Sequence, residues 1–106
     1  DHDVHLDLAL EMAEADLAKR TDAGAWDAYA WALYKNDRAA DALQASEKAL
    51  SSGMQDAGFF YRAAVIRQAV GDDERAADLL ERALELSPRF HPLHAEAAER
   101  LLAEVR

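Results

Sequence analysis

The chain has 106 residues, which suits a single domain with a modest core, and apolar residues make up 51% of it. Its formal charge of −9 comes from 12 basic and 21 acidic residues, and no basic stripe is visible, so the sequence argues against nucleic-acid binding. The absence of cysteine excludes disulfides, thiolate zinc sites and cysteine nucleophiles.

The composition also favours one fold class. Only 4 glycine and 2 proline residues leave little turn chemistry for a many-stranded sheet, whereas alanine is abundant, so we predict an all-α fold. No apolar run approaches the ~20 residues of a membrane span. The chain begins Asp-His-Asp without a signal-peptide pattern, and we expect it to be a segment of a longer protein.

The first predicted helix covers residues 3–20. Its main apolar stripe has spacings of three and four residues, and a second stripe adjoins it. The main stripe consists of Leu6, Leu10, Ala13 and Leu17, and the adjoining one of Leu8, Met12 and Ala15.

The second and third helices are predicted from their end signals. Thr21 or Asp22 is expected to cap a helix that runs through Lys35. Asn36 and Asp37 form a tight turn, and Asp37 is expected to cap a third helix over 38–52. Gly53 is a candidate left-handed residue at the end of that helix.

The remaining helices follow the same logic. A fourth is predicted over 56–70, with Gly71 in the turn at positive φ. Asp72 is expected to cap a fifth helix that ends near Leu86, and Pro88 prevents its continuation. Pro92 then opens a sixth helix that runs to about Glu104.

An internal repeat organises this series. Glu81–Leu84 repeats the pattern of Glu47–Leu50, and no gap interrupts the correspondence anywhere between residues 23 and 90. The same offset in numbering pairs small residues with small ones and an aromatic with an aromatic: Ala42 with Ala76, Ala30 with Ala64, and Trp26 with Phe60.

A helix–turn–helix repeat of about 34 residues resembles the tetratricopeptide repeat (TPR). The first copy carries the resemblance at Trp26, Tyr29, Ala30, Leu33, Ala42, Ala49 and Leu50. The second carries it at Phe60, Ala63, Ala64, Gly71, Ala76, Leu80, Ala83 and Pro88. Three positions depart from the pattern: Ser46, Met54 and Arg67.

The resemblance implies a single domain of antiparallel helix hairpins stacked as a short right-handed α-solenoid. Repeats would cover 23–56 and 57–90, residues 3–20 would be the second helix of a partial repeat, and 91–106 a capping helix. It also implies binding of a peptide or helix of a partner protein in a concave groove. That groove would be lined by Asp27, Trp31, Tyr34, Lys35, Tyr61, Arg62, Val65 and Gln68.

Trp31 and Tyr34 form a second aromatic stripe on the second helix, distinct from Trp26, Ala30 and Leu33. Exposed aromatics are typical binding anchors, so we favour recognition over the alternative, in which Trp31 packs on the first helix and Tyr61 on its neighbour. One branch of the family holds a terminal carboxylate with Lys and Asn. Asp27 and Trp31 stand at two of those places, so a basic or apolar segment is the expected partner.

A structural role is the rival hypothesis. The stripe of Leu6, Leu10 and Leu17 is expected to keep one uncovered side, through which the chain would pack on itself or on a larger protein.

No catalytic or cofactor site is predicted. The sequence has no glycine-rich phosphate loop, and its acidic residues are spread over helix faces. Two histidine pairs, His2 with His5 and His91 with His94, have a spacing that can hold a metal ion, but we interpret them as adventitious ligands at most.

Overall fold

A computed structural model describes residues 2–19, 22–53, 56–86 and 92–105, with side chains for 8–19, 22–53, 56–86 and 96–105. These residues form six helices and no strand, so the all-α prediction is confirmed. The helices are α1 (His2–Lys19), α2 (Ala23–Lys35), α3 (Ala39–Leu50), α4 (Ala57–Ala69), α5 (Asp73–Leu86) and α6 (Pro92–Val105). They fall into two compact units, Asp1–Met54 and Gln55–Arg106.

Aspartate caps begin α2 in the first unit and α4 in the second. The Asp22 carboxylate accepts a hydrogen bond from the Ala25 N–H at 2.9 Å. Asp56 does the same for the Phe59 N–H at 3.1 Å. These caps satisfy donors that the first turn of a helix leaves unpaired. The predicted start at Asp22 is therefore confirmed, while Thr21 lies outside the described residues.

The turn between α2 and α3 corrects one prediction. Asp37 does not cap α3: its φ of +62° places it in the left-handed region, and the Arg38 N–H after it donates to the Leu33 carbonyl at 2.9 Å. Asp37 thus ends α2, in the position where glycine is common. The residue that precedes α3 is Arg38, which makes no side-chain cap bond.

The turn between α4 and α5 follows the prediction. Gly71 has a φ of +87°, and the Asp72 N–H donates to the Arg67 carbonyl at 2.9 Å. One Asp72 carboxylate oxygen caps α5 by accepting from the Arg75 N–H at 3.2 Å. The other lies 3.2 Å from the Arg67 guanidinium. A single carboxylate therefore holds both sides of this turn.

Comparison of the two turns predicts a stabilising substitution. Asp37→Gly should raise the free energy of unfolding by about 0.5–1 kcal/mol, because glycine adopts positive φ without the steric cost that a Cβ imposes. The reciprocal change, Gly71→Asp, should lower the free energy of unfolding by a similar amount. The new Cβ would have no atom within 4 Å, so the loss would come from the positive φ alone. Chemical denaturation of both variants tests this, and a loss of stability in Asp37→Gly would contradict it.

Two further helix ends match the sequence signals. Gly53 follows α3 with a φ of +80°, and its N–H donates to the Leu50 carbonyl at 3.2 Å. α6 begins at Pro92, where a missing N–H costs nothing. Pro88 lies outside the described residues. No described helix is long and apolar enough to cross a lipid bilayer.

In the first unit, α2 packs against both α1 and α3. Its core is built mainly from alanine, with Leu33 as its largest fully buried side chain. Small side chains let the helix backbones approach closely, so the core is well packed although it contains few large residues. The buried apolar residues are Leu10, Ala23, Ala25, Ala30, Ala32, Leu33, Ala42, Ala45 and Ala49.

In the second unit, α5 packs against both α4 and α6. Ile66 and Leu80 are its largest fully buried side chains. The buried apolar residues are Ala63, Ala64, Ile66, Ala76, Leu79, Leu80, Ala83 and Ala98. The alanines that the sequence pairs between the two repeat copies, such as Ala42 and Ala76, are thus buried in both units.

Two departures from the repeat pattern are accommodated locally. Ser46 is buried, at 6% exposure, where the second unit has Leu80. Among the described side chains no buried nitrogen or oxygen lacks a hydrogen-bond partner. Arg67 stands where the first unit has buried Leu33, and its side chain, 18% exposed, reaches Asp72. The third departure, Met54, lies outside the described residues.

Candidate functional site

The most distinctive side-chain cluster on the surface of α2 combines two aromatic rings and a cation. The rings of Trp31 and Tyr34 lie 5.0 Å apart between centroids, with their planes inclined at 32°. The Lys35 ammonium stands over the Trp31 ring, 5.2 Å from its centroid. Both rings are half-buried, whereas Lys35 is exposed. We call Trp31, Tyr34 and Lys35 the aromatic cluster.

The helical period explains why this cluster is accessible. Ala30 and Leu33, which precede Trp31 and Tyr34, turn into the core of the first unit and are 1% exposed. One residue along an α-helix rotates the side chain by about 100°, so the next positions lie away from that core. Exposed Ala28 lies on the same side as Lys35. The aromatic cluster is therefore positioned by a helix whose core side, at Ala30 and Leu33, is firmly packed.

A second aromatic pair on α2 has a different environment. The rings of Trp26 and Tyr29 meet edge to face with 6.2 Å between centroids. The Lys48 ammonium from α3 lies 5.1 Å from the Trp26 centroid. Because Lys48 belongs to the neighbouring helix, this pair helps join α2 to α3. The two pairs thus occupy different sides of α2, as the sequence predicts.

The other predicted groove residues are placed as follows. Asp27 is half-buried on α2, one turn before Trp31. On α4, Tyr61, Arg62 and Val65 are half-buried and Gln68 is exposed. The Arg62 guanidinium lies 5.8 Å from the Phe59 ring centroid. The structure therefore brings Trp31, Tyr34 and Lys35 together on one unit, and places the α4 residues on the other.

The predicted self-association residues are mostly turned inward. Leu10 is buried and Leu17 is half-buried, and the side chain of Leu6 lies outside the described residues. The exposed apolar residues of α1 are instead Leu8 and Met12, at 51% and 66% exposure. They belong to the adjoining apolar stripe of α1, for which no site was predicted. The sequence does contain a pattern that indicates this surface: Leu8 and Met12 are four residues apart, on the side of α1 opposite Leu10 and Leu17.

An open groove on the first unit was not anticipated. It has a volume of about 680 Å³ and is lined by Asp22, Ala23, Trp26, Lys48, Ser51, Ser52 and Gly53. Its two serine hydroxyls donate to backbone carbonyls at the end of α3, each at 2.8 Å. These two hydroxyls are thus engaged in ending α3, while Asp22 caps α2 and Lys48 lies over Trp26.

The metal-site prediction can be checked only on the described residues. They include no group of three or more His, Cys, Asp or Glu side chains that would hold a metal ion. The side chains of both histidine pairs lie outside them, so the interpretation of these pairs stays a prediction.

No protein-family model matches this chain, and no curated protein matches it either. The resemblance to the tetratricopeptide repeat accordingly rests on the residues and spacing given above.

Proposed function

We propose that this chain is a non-catalytic protein-interaction module of the tetratricopeptide type, which binds a peptide or helix of a partner protein. The partner would bind at the face of α2 that carries the aromatic cluster. The observation that carries the proposal is the aromatic cluster: two rings in mutual contact, backed by a packed helix face, with a lysine stacked on one of them.

The cluster has the properties of a binding anchor. Tryptophan and tyrosine bury a large area at a small cost in rotamer entropy, and they dominate the energetics of many interfaces. Trp31 and Tyr34 already restrict each other, which lowers the entropy lost when a partner covers them. Because both remain half-buried rather than buried, part of each ring surface is available to a partner.

The neighbouring residues indicate the chemistry of that partner. Asp27 lies one turn before Trp31 on α2 and disfavours a carboxylate at that end of the cluster. In the alignment of the two repeat copies, Tyr61, Val65 and Gln68 on α4 correspond to Asp27, Trp31 and Tyr34. An extended or helical segment with apolar and basic side chains fits the aromatic cluster and Asp27 best.

The test begins with peptides selected on the protein from a random-peptide display library. The double variant Trp31→Ala/Tyr34→Ala should bind them at least ~10-fold more weakly, since an anchor residue contributes about 2 kcal/mol or more. Its thermal midpoint should change by only a few degrees, because neither ring is part of the buried core. Fluorescence anisotropy and circular dichroism measure the two quantities.

The matched control is Gln44→Ala, an exposed change on α3 that should leave binding intact. Unfolding of the double variant would show that the two rings belong to the core. Unchanged peptide affinity in a folded double variant would show that the binding site lies elsewhere.

The rival proposal is self-association through α1. Exposed Leu8 and Met12 favour it, because apolar surface of this kind tends to acquire a neighbour. Light scattering over a range of concentrations distinguishes the two: a dimer dispersed by Met12→Glu supports self-association, and a monomer that binds the selected peptides supports the recognition module.

A further inference from the structure

The face of the Trp31 ring already carries a positive charge from its own helix. The Lys35 ammonium stands over this ring, 5.2 Å from the ring centroid. An ammonium at this distance is attracted by the negative charge that the π-system places on the ring face. The position over Trp31 therefore suits a cation, and in the free protein the chain itself supplies that cation.

Little else holds the Lys35 side chain in this place. It is exposed and belongs to the last residue of α2. Among the described residues, its ammonium makes no ion pair or hydrogen bond besides its contact with Trp31. A cation–ring contact at an exposed site changes an equilibrium constant only ~2–5-fold, and it restricts a side chain that is rich in rotamers. Lys35 can therefore leave the ring at a small cost.

The other tryptophan of α2 has a lysine with a different role. Lys48 lies 5.1 Å from the Trp26 centroid, but it belongs to α3 and so connects two helices. The ring and cation contacts of Trp31, with Tyr34 and Lys35, both come from α2. Displacement of Lys35 thus breaks no contact between helices, whereas displacement of Lys48 would break one.

We propose that Lys35 is an internal competitor at the binding site: its ammonium occupies the place over Trp31 that a lysine or arginine of the partner takes in the complex. This inference rests on the proposed function, because it requires that the aromatic cluster binds a partner, and it adds the class of side chain that the Trp31 ring recognises. The partner's cation displaces Lys35, since two like charges over one ring repel each other. Arginine suits the place best, because its planar guanidinium stacks on aromatic faces.

The experiment uses the library-selected peptides, which should carry lysine or arginine at a recurring position. Each is paired with a neutral version, in which norleucine replaces that lysine or citrulline replaces that arginine. Lys35→Ala should bind the cationic peptides ~2–5-fold more tightly than the unchanged protein does, because the competitor is gone. The neutral versions should not show this gain, since an uncharged side chain is not drawn to the ring face.

Salt and a second lysine separate this competition from a general effect of charge. The gain should persist at ~1 M salt, where repulsion between separated charges is screened but competition for one contact is not. The matched control is Lys48→Ala, which removes the same charge from the same unit at Trp26 and should leave affinity unchanged. Both lysines are exposed, so circular dichroism should show unchanged helicity.

Three results would overturn the inference: selected peptides without a recurring cation, no gain in Lys35→Ala, or an equal gain in Lys48→Ala. The proposed function would still stand in each case if Trp31→Ala/Tyr34→Ala weakens peptide binding. Peptides that bind this double variant with unchanged affinity would overturn the proposed function, and the inference with it.

Discussion

Replacing Leu80 by alanine is expected to lower the free energy of unfolding by about 2–5 kcal/mol. Leu80 is fully buried on α5 at 0% exposure and is one of the three largest side chains in that state. The rest of the core around it consists largely of alanines, such as Ala64 and Ala76, which cannot move to fill the space. A domain of this size has a total stability of only ~5–15 kcal/mol, so the loss would be a large share of it.

Chemical denaturation of Leu80→Ala measures this effect. Its control is Leu86→Ala on the same helix, where the side chain is 37% exposed and should cost less than ~1 kcal/mol. Equal losses in the two variants would mean that Leu80 does not organise the second unit.

The second large effect is expected from the opposite change, Ala42→Leu on α3. Ala42 is 0% exposed, and α3 packs there against α2. A leucine side chain would have to separate the two helices or adopt a strained rotamer, at a cost of about 1–3 kcal/mol or more. The thermal midpoint should fall by roughly 4–8 °C for each kcal/mol lost.

Ala40→Leu is the matched control for this substitution, two residues earlier on the same helix and exposed. It adds the same atoms with the same helix propensity but in open solvent, so stability should hardly change. A stable Ala42→Leu protein would contradict the close approach of α2 and α3 at this alanine.

Much of the fold could be predicted because its determinants are local. The caps at Asp22, Asp56 and Asp72 act within one helical turn, and Gly53 and Gly71 mark backbone conformations that other residues rarely adopt. The starts of α2, α4 and α5 and the turns after α3 and α4 therefore follow from residue type and spacing. The wrong prediction, Asp37, concerned a residue type with two local roles: aspartate favours helix starts but also tolerates positive φ.

The candidate site was less predictable, because exposure depends on tertiary packing. Periodicity separates the Trp31–Tyr34 side of α2 from the Leu33 side, but it does not say how much of each ring stays accessible. The same limit applies to α1, where two apolar stripes adjoin and only packing on α2 selects Leu10 for the interior. Leu8 and Met12 have the same chemical character as Leu10, so the sequence alone did not identify them as the exposed pair.

A partner that binds at the aromatic cluster contacts Trp31 and not Trp26, which packs with Tyr29 and Lys48 beside the open groove. The chain has only 2 tryptophans, so incorporation of 5-fluorotryptophan gives two ¹⁹F signals that Trp26→Phe and Trp31→Phe variants assign. On addition of a library-selected peptide, we expect the Trp31 signal to shift with saturation while the Trp26 signal stays in place. A peptide that binds without moving the Trp31 signal, or that moves only the Trp26 signal, would contradict it.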